Sequence, residues 1–336
     1  MKAIVIDNFG DSSVFKEREL PIPQVIPGHV LIDVKATSVN PVDCRIRSGE
    51  APGMAPALPA VLHGDVAGIV VAVGEGVSRF RAGDEVFGLA GGTKGTAGGA
   101  LADYMLADAS LLALKPQSLS MAEAAALPLV SLAAWQALID RANIERGQKV
   151  LIHAAAGGVG HVAVQIAKWA GAEVYATAST PQKIALGMEL GAKAVIDYTK
   201  ETVREYVEKY TARKGFDVVF DTVGGPNLEK SFEAVKPLGQ VVSIATRSTH
   251  DLSLMNFKGL TLHVVYTMYP LISGIGRAHY GDILAKIAQI ADAGQLRPVI
   301  DHRVFAFNEA GEAHRYLEAG AAFGKVVLIN NYEKID

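Results

Sequence analysis

The chain has 336 residues, of which half are hydrophobic and a fifth are charged, so it can form two domains with sizeable cores. Its formal net charge of −3 gives no general attraction to phosphate backbones or anionic lipid, and we expect neither nucleic acid nor a membrane as a partner. The single cysteine, Cys44, excludes an intrachain disulfide framework and any zinc site built from several thiolates.

Targeting and membrane signals are weak. The N-terminal stretch MKAIVIDNF lacks a basic region followed by a long apolar run. We therefore expect no signal peptide and a cytoplasmic location. The most membrane-like stretch, from Ala124 to Ile139, falls short of the roughly 20 residues that a span needs. It also contains Pro128, Ser131 and Gln136, so a buried helix or helix pair is predicted.

Short β segments separated by Pro and Gly make up the first third of the chain: AIVID, HVLIDVKA, VAGIVVAVG and GDEVFG. This pattern predicts a partly closed, mostly antiparallel barrel rather than a layered sheet. The glycine-rich stretch AGGTKGTAGG has no Gly-Lys-Ser/Thr leading into a helix. It is therefore no P-loop, and we predict a surface loop.

From about Ala122 onward, strand-like runs alternate with helical ones. The strand candidates are KVLIHAA, EVYATAS, AVIDY, FDVVFDTV, QVVSIAT and LTLHVVY. Six apolar strands with intervening helices predict an α/β unit with a doubly wound, six-stranded parallel sheet of the Rossmann type. After Thr267 we predict an amphipathic helix over roughly His279–Ala293 and a short β/α/β tail ending in GKVVLI.

A glycine-rich turn from Ala155 to Gly160 joins the first of these strands to a helix with buried 3,4 spacing. Against the pattern G-x-G-x-x-G, Gly157 and Gly160 match and Ala155 replaces the first glycine. The middle glycine lets the backbone approach a pyrophosphate, and the last lets the helix pack closely on the strand. Such a turn can be merely structural, but its setting among six strands favours a dinucleotide site.

The next strand, EVYATAS, bears on the choice of cofactor. NAD enzymes usually carry an acid at its end, which binds the ribose 2′-hydroxyl. Here that place holds Ala178 and Ser179, and Lys183 lies one helical turn further on. A hydroxyl and an ammonium suit a 2′-phosphate, so we predict NADPH. The alternative is that Lys183 is an ordinary solvated lysine.

These residues carry a resemblance that extends over nearly the whole chain. The stretches concerned are SVNPVDCRIRSG, HGDVAGIVVAVGEGV, GDEVFG, AAALPLVSLAAWQAL, the AAGGVG turn and FGKVVLI. In this order they resemble the medium-chain dehydrogenase/reductases, and specifically the zinc-free, zeta-crystallin-like quinone oxidoreductase branch. The family has a GroES-like catalytic domain formed by both chain ends, here residues 1–123 and 268–336. A Rossmann domain, here 124–267, lies between them, with the cofactor in the cleft.

The resemblance also implies the residues that contact NADPH. Gly157, Gly158 and Val159 resemble the pyrophosphate loop, and Ser179, Lys183 and Tyr198 the 2′-phosphate pocket. The family's ribose and nicotinamide contacts correspond, by this resemblance, to Ile244, Ala245, Thr246, Arg247, Val265 and Tyr266. Lys325 is similar to a residue that reaches back to the cofactor, and Asn40 to an asparagine near the nicotinamide.

The zinc-dependent alcohol dehydrogenase branch differs at its metal-ligand positions. By this resemblance, Asn40 stands at its first thiolate position and Gly64 at its histidine position. Its second thiolate position falls near Leu129. Cys44 and His63 lie close to ligand positions without occupying them, and the four-cysteine structural zinc lobe is missing from the sequence. We therefore expect neither a catalytic nor a structural zinc ion. One departure from the quinone branch is that SGEAPGMAPALP lacks the tyrosine some members carry there, so we expect a different substrate pocket and the resemblance does not identify the substrate.

The expected chemistry follows from these positions. Hydride added to an isolated ketone builds a localised alkoxide that a Lewis acid stabilises strongly. Hydride added to a quinone or an enone spreads the charge over a conjugated oxygen, so positioning, hydrogen bonds and a solvent proton suffice. We therefore predict an NADPH-dependent reductase of quinones or α,β-unsaturated carbonyls. The alternatives are a zinc-free alcohol or carbonyl oxidoreductase and a non-catalytic, crystallin-like NADPH-binding protein.

No residue stands out as a committed general acid. Asn40 and His63 are the candidate catalytic residues, although Asn40 precedes a proline as turn asparagines often do, and His63 suits a structural histidine. Asp43 and Asp65 suit loop and helix-end roles. The last apolar strand, from Leu260 to Tyr266, is an expected sheet edge, and we predict a homodimer that covers it.

Overall fold

The structure is a computed structural model that describes residues 1–331. The chain forms two compact units. The split unit combines both ends of the chain, Met1–Leu129 and the residues from Met268 onward, and the middle unit is Val130–Thr267. The division falls later than the sequence-based boundary after residue 123. The Leu129 N–H donates to the Asp65 carboxylate at 2.8 Å, which ties the start of a helix to the split unit.

The N-terminal part of the split unit is mostly strand. Its elements are β1 (Lys2–Ile6), β2 (Phe15–Glu19), β3 (His29–Val39), α1 (Pro41–Ser48), β4 (Ala60–Val61), β5 (Asp65–Val73), β6 (Glu85–Leu89), β7 (Tyr104–Asp108), β8 (Leu112–Leu114) and α2 (Met121–Ala125). The long strand β3 pairs antiparallel with β5 and β7, and two register shifts against β5 bend it. This confirms the mostly antiparallel architecture expected for the first third of the chain.

The middle unit alternates helices with strands. Its elements are α3 (Pro128–Trp135, which spans the division), β9 (Lys149–Ile152), α4 (Gly160–Trp169), β10 (Glu173–Ala178), α5 (Pro181–Glu189), β11 (Ala194–Asp197), α6 (Val203–Thr211), β12 (Phe216–Asp221), α7 (Asn227–Ala234), β13 (Val235–Ser243), α8 (Ser253–Lys258) and β14 (Thr261–Val264). The six strands form one parallel sheet in the order β11-β10-β9-β12-β13-β14. The predicted doubly wound sheet is thereby confirmed.

The C-terminal part of the chain returns to the split unit. It contains α9 (Tyr269–Ser273), α10 (Arg277–Asp292), β15 (Phe305–Ala306), α11 (Ala310–Glu318) and β16 (Val326–Ile329). Strand β16 pairs antiparallel with β3, with Val326 opposite Val39, and so extends a seven-stranded sheet in the split unit. A separate three-stranded sheet has the order β2-β1-β4.

The parallel sheet is apolar on both faces, as expected where helices cover both sides. Val150, Leu151 and Ile152 of the central strand β9 are completely buried. On one face, Leu151 belongs to a core cluster that also contains Phe216 of β12 and Phe232 of α7. This continuous apolar sequence leaves polar side chains to the ends of the strands.

The apolar stretch 124–139 is helical as predicted, whereas the glycine-rich segment 90–99 is at the surface only in part. The stretch 124–139 forms the end of α2, helix α3 and a π-helical turn, Gln136–Arg141, and none of the helices described is long and apolar enough to cross a membrane. The glycine-rich segment 90–99 has no regular structure, but only its middle is at the surface. Gly91, Gly92, Thr93 and Gly99 are buried. A Cβ at Gly99 would overlap the carbonyl oxygen of Val61, so the missing side chain permits this packing.

Candidate functional site

The carboxyl edge of the parallel sheet gathers most of the residues predicted to bind a cofactor. Strands β9 and β12 are neighbours at the centre, and the chain proceeds from them toward opposite sides of the sheet. Such a reversal of strand order opens a crevice at the carboxyl ends, where doubly wound folds bind dinucleotides. The segments that follow β9, β10, β11, β13 and β14 all start at this edge.

The turn after β9 is shaped by close backbone packing. The Ala155 N–H donates to the Thr177 carbonyl of β10 at 2.9 Å, and the Gly157 N–H donates to the Ala154 carbonyl at 2.9 Å. A Cβ at Gly160 would overlap that same carbonyl oxygen, so the start of α4 lies against the end of β9. This is the helix–strand contact expected of the last glycine in the motif.

The N-terminus of α4 is suited to an anion. No side chain caps this ten-residue helix. The His161 N–H of its first turn donates to the Gly157 carbonyl at 3.1 Å, and the helix dipole favours negative charge at this end. With Gly157 and Gly158 adding no side chain in front of it, the turn fits the diphosphate of a dinucleotide.

A polar layer beneath the turn escaped the sequence analysis. The imidazole Nδ1 of His153 lies 3.2 Å from the Thr177 hydroxyl, which also accepts from the Ala154 N–H at 3.2 Å. The Thr222 hydroxyl donates to the His153 carbonyl at 2.7 Å. Burial lowers the pKa of His153, so its ring is neutral. The sequence feature that could have revealed this layer is the polar residue at the end of each of these apolar strands.

Asp221, at the end of β12, organises the neighbouring loops. Its completely buried carboxylate accepts from the Ser243 hydroxyl at 2.9 Å, the Asn227 side-chain amide at 2.8 Å and the Gly224 N–H at 3.1 Å. Because these donors belong to three separate segments, one carboxylate holds the ends of β12 and β13 and the start of α7 together. A buried ion with several donors is well satisfied.

The three residues predicted for the 2′-phosphate lie at one corner of the sheet. Ser179 follows β10 and Tyr198 follows β11, whose ends are paired. The Tyr198 N–H donates to the Ala178 carbonyl at 3.3 Å, and the Tyr198 side chain is half exposed. Lys183 is partly exposed in the first turn of α5, where the Thr180 hydroxyl accepts from its backbone N–H at 3.3 Å.

The predicted ribose and nicotinamide segments follow β13 and β14. Ile244, Ala245 and Thr246 are partly buried, and Arg247 is exposed. The Val265 N–H donates to the Ser243 carbonyl at 3.0 Å, which continues the pairing of the two strands past β14. Val265 is buried and Tyr266 is half exposed.

In the split unit, Asn40 and Lys325 form a buried polar cluster with Asp65. The Asn40 side-chain amide donates to the Asp65 carboxylate at 2.7 Å, and the Lys325 ammonium donates to the Asn40 side-chain oxygen and, at 3.2 Å, to the Val39 carbonyl. The Lys325 Nζ lies 3.6 Å from the Asp65 carboxylate. Each of these polar side chains is at most 3% exposed. The Asn40 amide is therefore oriented from both sides.

Charge and burial compete inside this cluster. Burial lowers the pKa of Lys325, while the nearby carboxylates of Asp65 and Asp43 oppose that shift. Asp43 lies at the start of α1, where its carboxylate accepts from the Asn40 backbone N–H at 2.8 Å. Burial, and then the charge of Asp65, raise the pKa of Asp43 to about 7. The structure thus puts the ammonium of Lys325, predicted to reach for the cofactor, inside an internal ion pair.

His63 is also placed inside the split unit. It is completely buried, and its Nε2 lies 2.8 Å from Nε2 of His314 on α11. Phe15 packs edge-on against His314 with ring centroids 4.8 Å apart. Burial lowers the pKa of His63 to about 3, so the pair is neutral near pH 7. This geometry supports the structural alternative for His63 and leaves it no exposed surface for a substrate.

Comparison with known proteins agrees with both units. A family described as "Alcohol dehydrogenase GroES-like domain" matches residues 26–117, and one described as "Zinc-binding dehydrogenase" matches residues 190–328. The NADPH-dependent alkenal/one oxidoreductase of Arabidopsis thaliana is 35% identical over 98% of this chain and 79% of its own. The quinone oxidoreductase of Homo sapiens is 32% identical over 98% of both chains.

A solved structure extends this agreement to three dimensions. The quinone oxidoreductase of Escherichia coli, crystallised with NADPH, is 29% identical and superposes with a TM-score of 0.86 over 98% of this chain and 100% of its own. The chain belongs to the medium-chain dehydrogenase/reductase superfamily, in its quinone oxidoreductase-like branch. The predicted family, fold class and oxidoreductase class are confirmed.

The description of one matching family includes zinc, but the side chains at the corresponding positions of this chain are poor zinc ligands. Asn40, Gly64 and Leu129 stand at or near the ligand positions of the zinc branch, and the latter two carry no donor side chain. The Asn40 oxygen already accepts from the Lys325 ammonium, a cation that repels a second one. Burial raises the pKa of Cys44 to about 12 and keeps it a thiol. The residues present do not fit a catalytic zinc.

Proposed function

We propose that the protein is an NADPH-dependent reductase of quinones or α,β-unsaturated carbonyls that works without zinc. The observation that carries the proposal is the Lys325–Asn40–Asp65 cluster, in which a buried ammonium contacts the residue at the first metal-ligand position. A site with such donors suits an acceptor that disperses negative charge by conjugation. The names of the Arabidopsis and human relatives, an alkenal/one oxidoreductase and a quinone oxidoreductase, support this acceptor class.

The residues at the sheet edge would hold NADPH. Gly158 and Val159 would bind the diphosphate with backbone N–H groups at the uncapped end of α4, and Gly157, whose own N–H donates to the Ala154 carbonyl, would let the backbone approach it closely. Ser179, Lys183 and Tyr198 would bind the 2′-phosphate, where Ala178 leaves the strand end without a carboxylate to repel it. The segment 244–247 and the pair Val265 and Tyr266 would contact the ribose and nicotinamide. The name of the Arabidopsis relative supports NADPH as the cofactor.

The chemistry divides between cofactor and chain. When bound, NADPH supplies a hydride. Asn40 keeps one amide hydrogen and one oxygen lone pair after its bonds to Asp65 and Lys325, and we assign these to hydrogen bonds with the reactants. The ammonium on the amide oxygen polarises the group and strengthens its remaining N–H as a donor. The proton that completes the reduction comes from solvent.

Acceptor preference tests this function directly. We expect steady-state turnover of NADPH with 9,10-phenanthrenequinone and with an alkenal, and little with a simple aldehyde. Dialysis against a chelator should leave the rates unchanged. Turnover of the aldehyde alone would favour a carbonyl oxidoreductase instead. Tight NADPH binding with no turnover of any acceptor would favour a crystallin-like role.

We also propose a homodimer formed through the edge strand of the middle unit. Strand β14 pairs only with β13 among the described strands, which leaves its other backbone edge unpaired. Val264 and Tyr266 each expose about half of their surface there. Pairing with a second copy would cover that edge. Sedimentation should give a dimer that Val264→Lys weakens, and a monomeric wild type would overturn the proposal.

A cytoplasmic location is the remaining part of the proposal. The single cysteine, Cys44, is buried and stays a thiol, which suits a reducing compartment. Fractionation of cells that express the full chain should recover it with cytoplasmic markers. Recovery within an organelle would contradict this location without affecting the chemistry.

A further inference from the structure

The loop between β13 and α8 contains a hydrogen-bonded chain of three side chains. This loop, residues 244–252, begins with the segment that the proposed function assigns to the cofactor. The Ser248 hydroxyl lies 2.7 Å from Nε2 of His250, and Nδ1 of His250 lies 2.8 Å from the Glu229 carboxylate on α7. The chain thus runs from an exposed serine next to Arg247 down to a helix.

The protonation of this chain follows from its partners. The hydrogen bond from His250 is the largest of the effects that lower the pKa of Glu229, and the backbone of Asp251 adds to it. Glu229 is therefore an ionised acceptor, so Nδ1 of His250 carries the proton that it donates. Nε2 of the same ring pairs with the Ser248 hydroxyl. Only 9% of the His250 side chain is exposed, so little water competes for these bonds.

The two ends of the loop are anchored separately. At its start, the Ile244 N–H donates to the Asp221 carbonyl at 3.3 Å, and the Ala245 N–H donates to the Ser243 hydroxyl at 3.1 Å. At its end, the Asp251 carboxylate accepts from the Ser253 N–H at 2.8 Å. The side chains of Ser248 and His250 join the stretch between these anchors to α7. Without them the exposed Arg247 would lie in a longer untethered segment.

We propose that Glu229, His250 and Ser248 are positioning residues that hold the segment 244–247 in the conformation that binds NADPH. The inference rests on the proposed function, because it takes NADPH as the ligand of this segment. A loop ordered before binding loses less conformational entropy when the ligand arrives. The three side chains therefore contribute to affinity without touching the cofactor.

Substitution of His250 tests the inference with two readouts. In His250→Ala we expect the Kd for NADPH to rise by roughly five- to twentyfold, with kcat within about twofold, since ordering a loop affects binding. Trypsin, which cuts after arginine, should cleave the nucleotide-free variant after Arg247 several times faster than the wild type. Ser248→Ala, an exposed and conservative change, should show the same two effects in smaller measure.

Matched variants and the wild type separate the possible outcomes. Glu233→Gln lies on the same helix as Glu229 and is exposed, so it should change neither Kd nor cleavage. If the wild type binds NADPH and both His250→Ala and Ser248→Ala bind it equally well, the positioning role is overturned while the proposed function stands. If the wild type itself does not bind NADPH, the proposed function fails. Should His250→Ala not fold, Ser248→Ala and Glu229→Gln carry the same test.

Discussion

The two polar regions of this protein are built in opposite ways. At the sheet edge of the middle unit, the turn that we propose binds the diphosphate is one continuous segment of backbone, and the nearby side chains of Tyr198 and Arg247 are exposed. In the split unit, side-chain charges from distant parts of the chain are buried together, with Asn40 and Lys325 separated by 285 residues. The first region is open and local, and the second is closed and assembled by the fold.

This difference predicts how each region responds to change. A backbone site depends on glycine at a few positions and tolerates many other substitutions. A buried ion cluster depends on all of its members, because removal of one leaves a charge or dipole without compensation. The following predictions test that contrast, beginning with the largest expected effect.

Lys325→Met should be the most damaging change. It leaves the Asp65 carboxylate buried without its ammonium and the Asn40 oxygen without that donor. We expect a loss of about 3–5 kcal/mol in the free energy of unfolding, measured by urea denaturation. The matched change Lys16→Met removes an exposed ion pair with Asp7 and should cost less than about 1 kcal/mol. Equal losses in the two variants would contradict the account of the cluster.

Gly160→Ala tests the backbone site. The added Cβ would overlap the Ala154 carbonyl oxygen and push α4 away from β9. Overpacking of this kind costs about 1–3 kcal/mol of stability, and we expect NADPH affinity to fall with it. Gly53→Ala is the control, since a Cβ there meets nothing within 4 Å. Normal cofactor binding by Gly160→Ala would argue against the turn as the diphosphate site.

The 2′-phosphate corner should give a smaller and selective effect. Lys183→Ala is expected to raise the Kd for NADPH by about tenfold, or about 1.4 kcal/mol, through loss of a charge-assisted hydrogen bond. The Kd for NADH should stay unchanged, because that cofactor lacks the phosphate. Lys214→Ala, also in the middle unit and exposed, is the control. A parallel rise for both nucleotides would instead indicate a general structural role for Lys183.

Stability should fall as pH falls below 6.5, because burial lowers the pKa values of His63, His153 and His314, and the raised pKa of Asp43 opposes this loss only in part. The pKa of Asp43 is raised from 3.8 to about 7, so its contribution is present below pH 3.8 and is lost as pH rises through 7. The pKa of His63 is lowered from 6.5 to about 3, so its contribution is present above pH 6.5 and is lost as pH falls. Between pH 3.8 and 6.5, therefore, the Asp43 contribution makes stability fall as pH rises, and the His63 contribution makes stability rise.

Asp43→Asn separates these opposing terms. Without the ionisable group at position 43, the variant should lose more stability than the wild type when pH falls from 7.5 to 4.5. The difference should stay below about 1.4 kcal/mol for each pH unit. Urea midpoints at both pH values measure it, with the exposed Asp282→Asn as a control. An identical pH response of Asp43→Asn and wild type would show that Asp43 ionises in the folded state as it does in the unfolded chain.

The sequence predicted the strands and the glycine turn of the open region, but it did not predict the contacts inside the closed one. The six strands and the glycine turn follow from local patterns, and the carboxyl ends of parallel strands must share one edge, which brings Ser179 and Tyr198 together. The Lys325 and His63 pairings join residues more than 250 positions apart, and no local pattern encodes such contacts. The glycine-rich segment 90–99 was predicted at the surface, yet several of its glycines permit close backbone packing instead.

The most direct test of the central claim follows the hydride itself. NADPH carrying deuterium at both C4 positions of the nicotinamide ring and an enone should be incubated with enzyme whose metal content is measured before and after chelation. We predict deuterium on the β-carbon of the product, at a rate that chelation does not change, in protein containing far less than one zinc per chain. Stoichiometric zinc that is removed together with the activity would contradict metal-free reduction, and a product without deuterium would contradict direct hydride transfer.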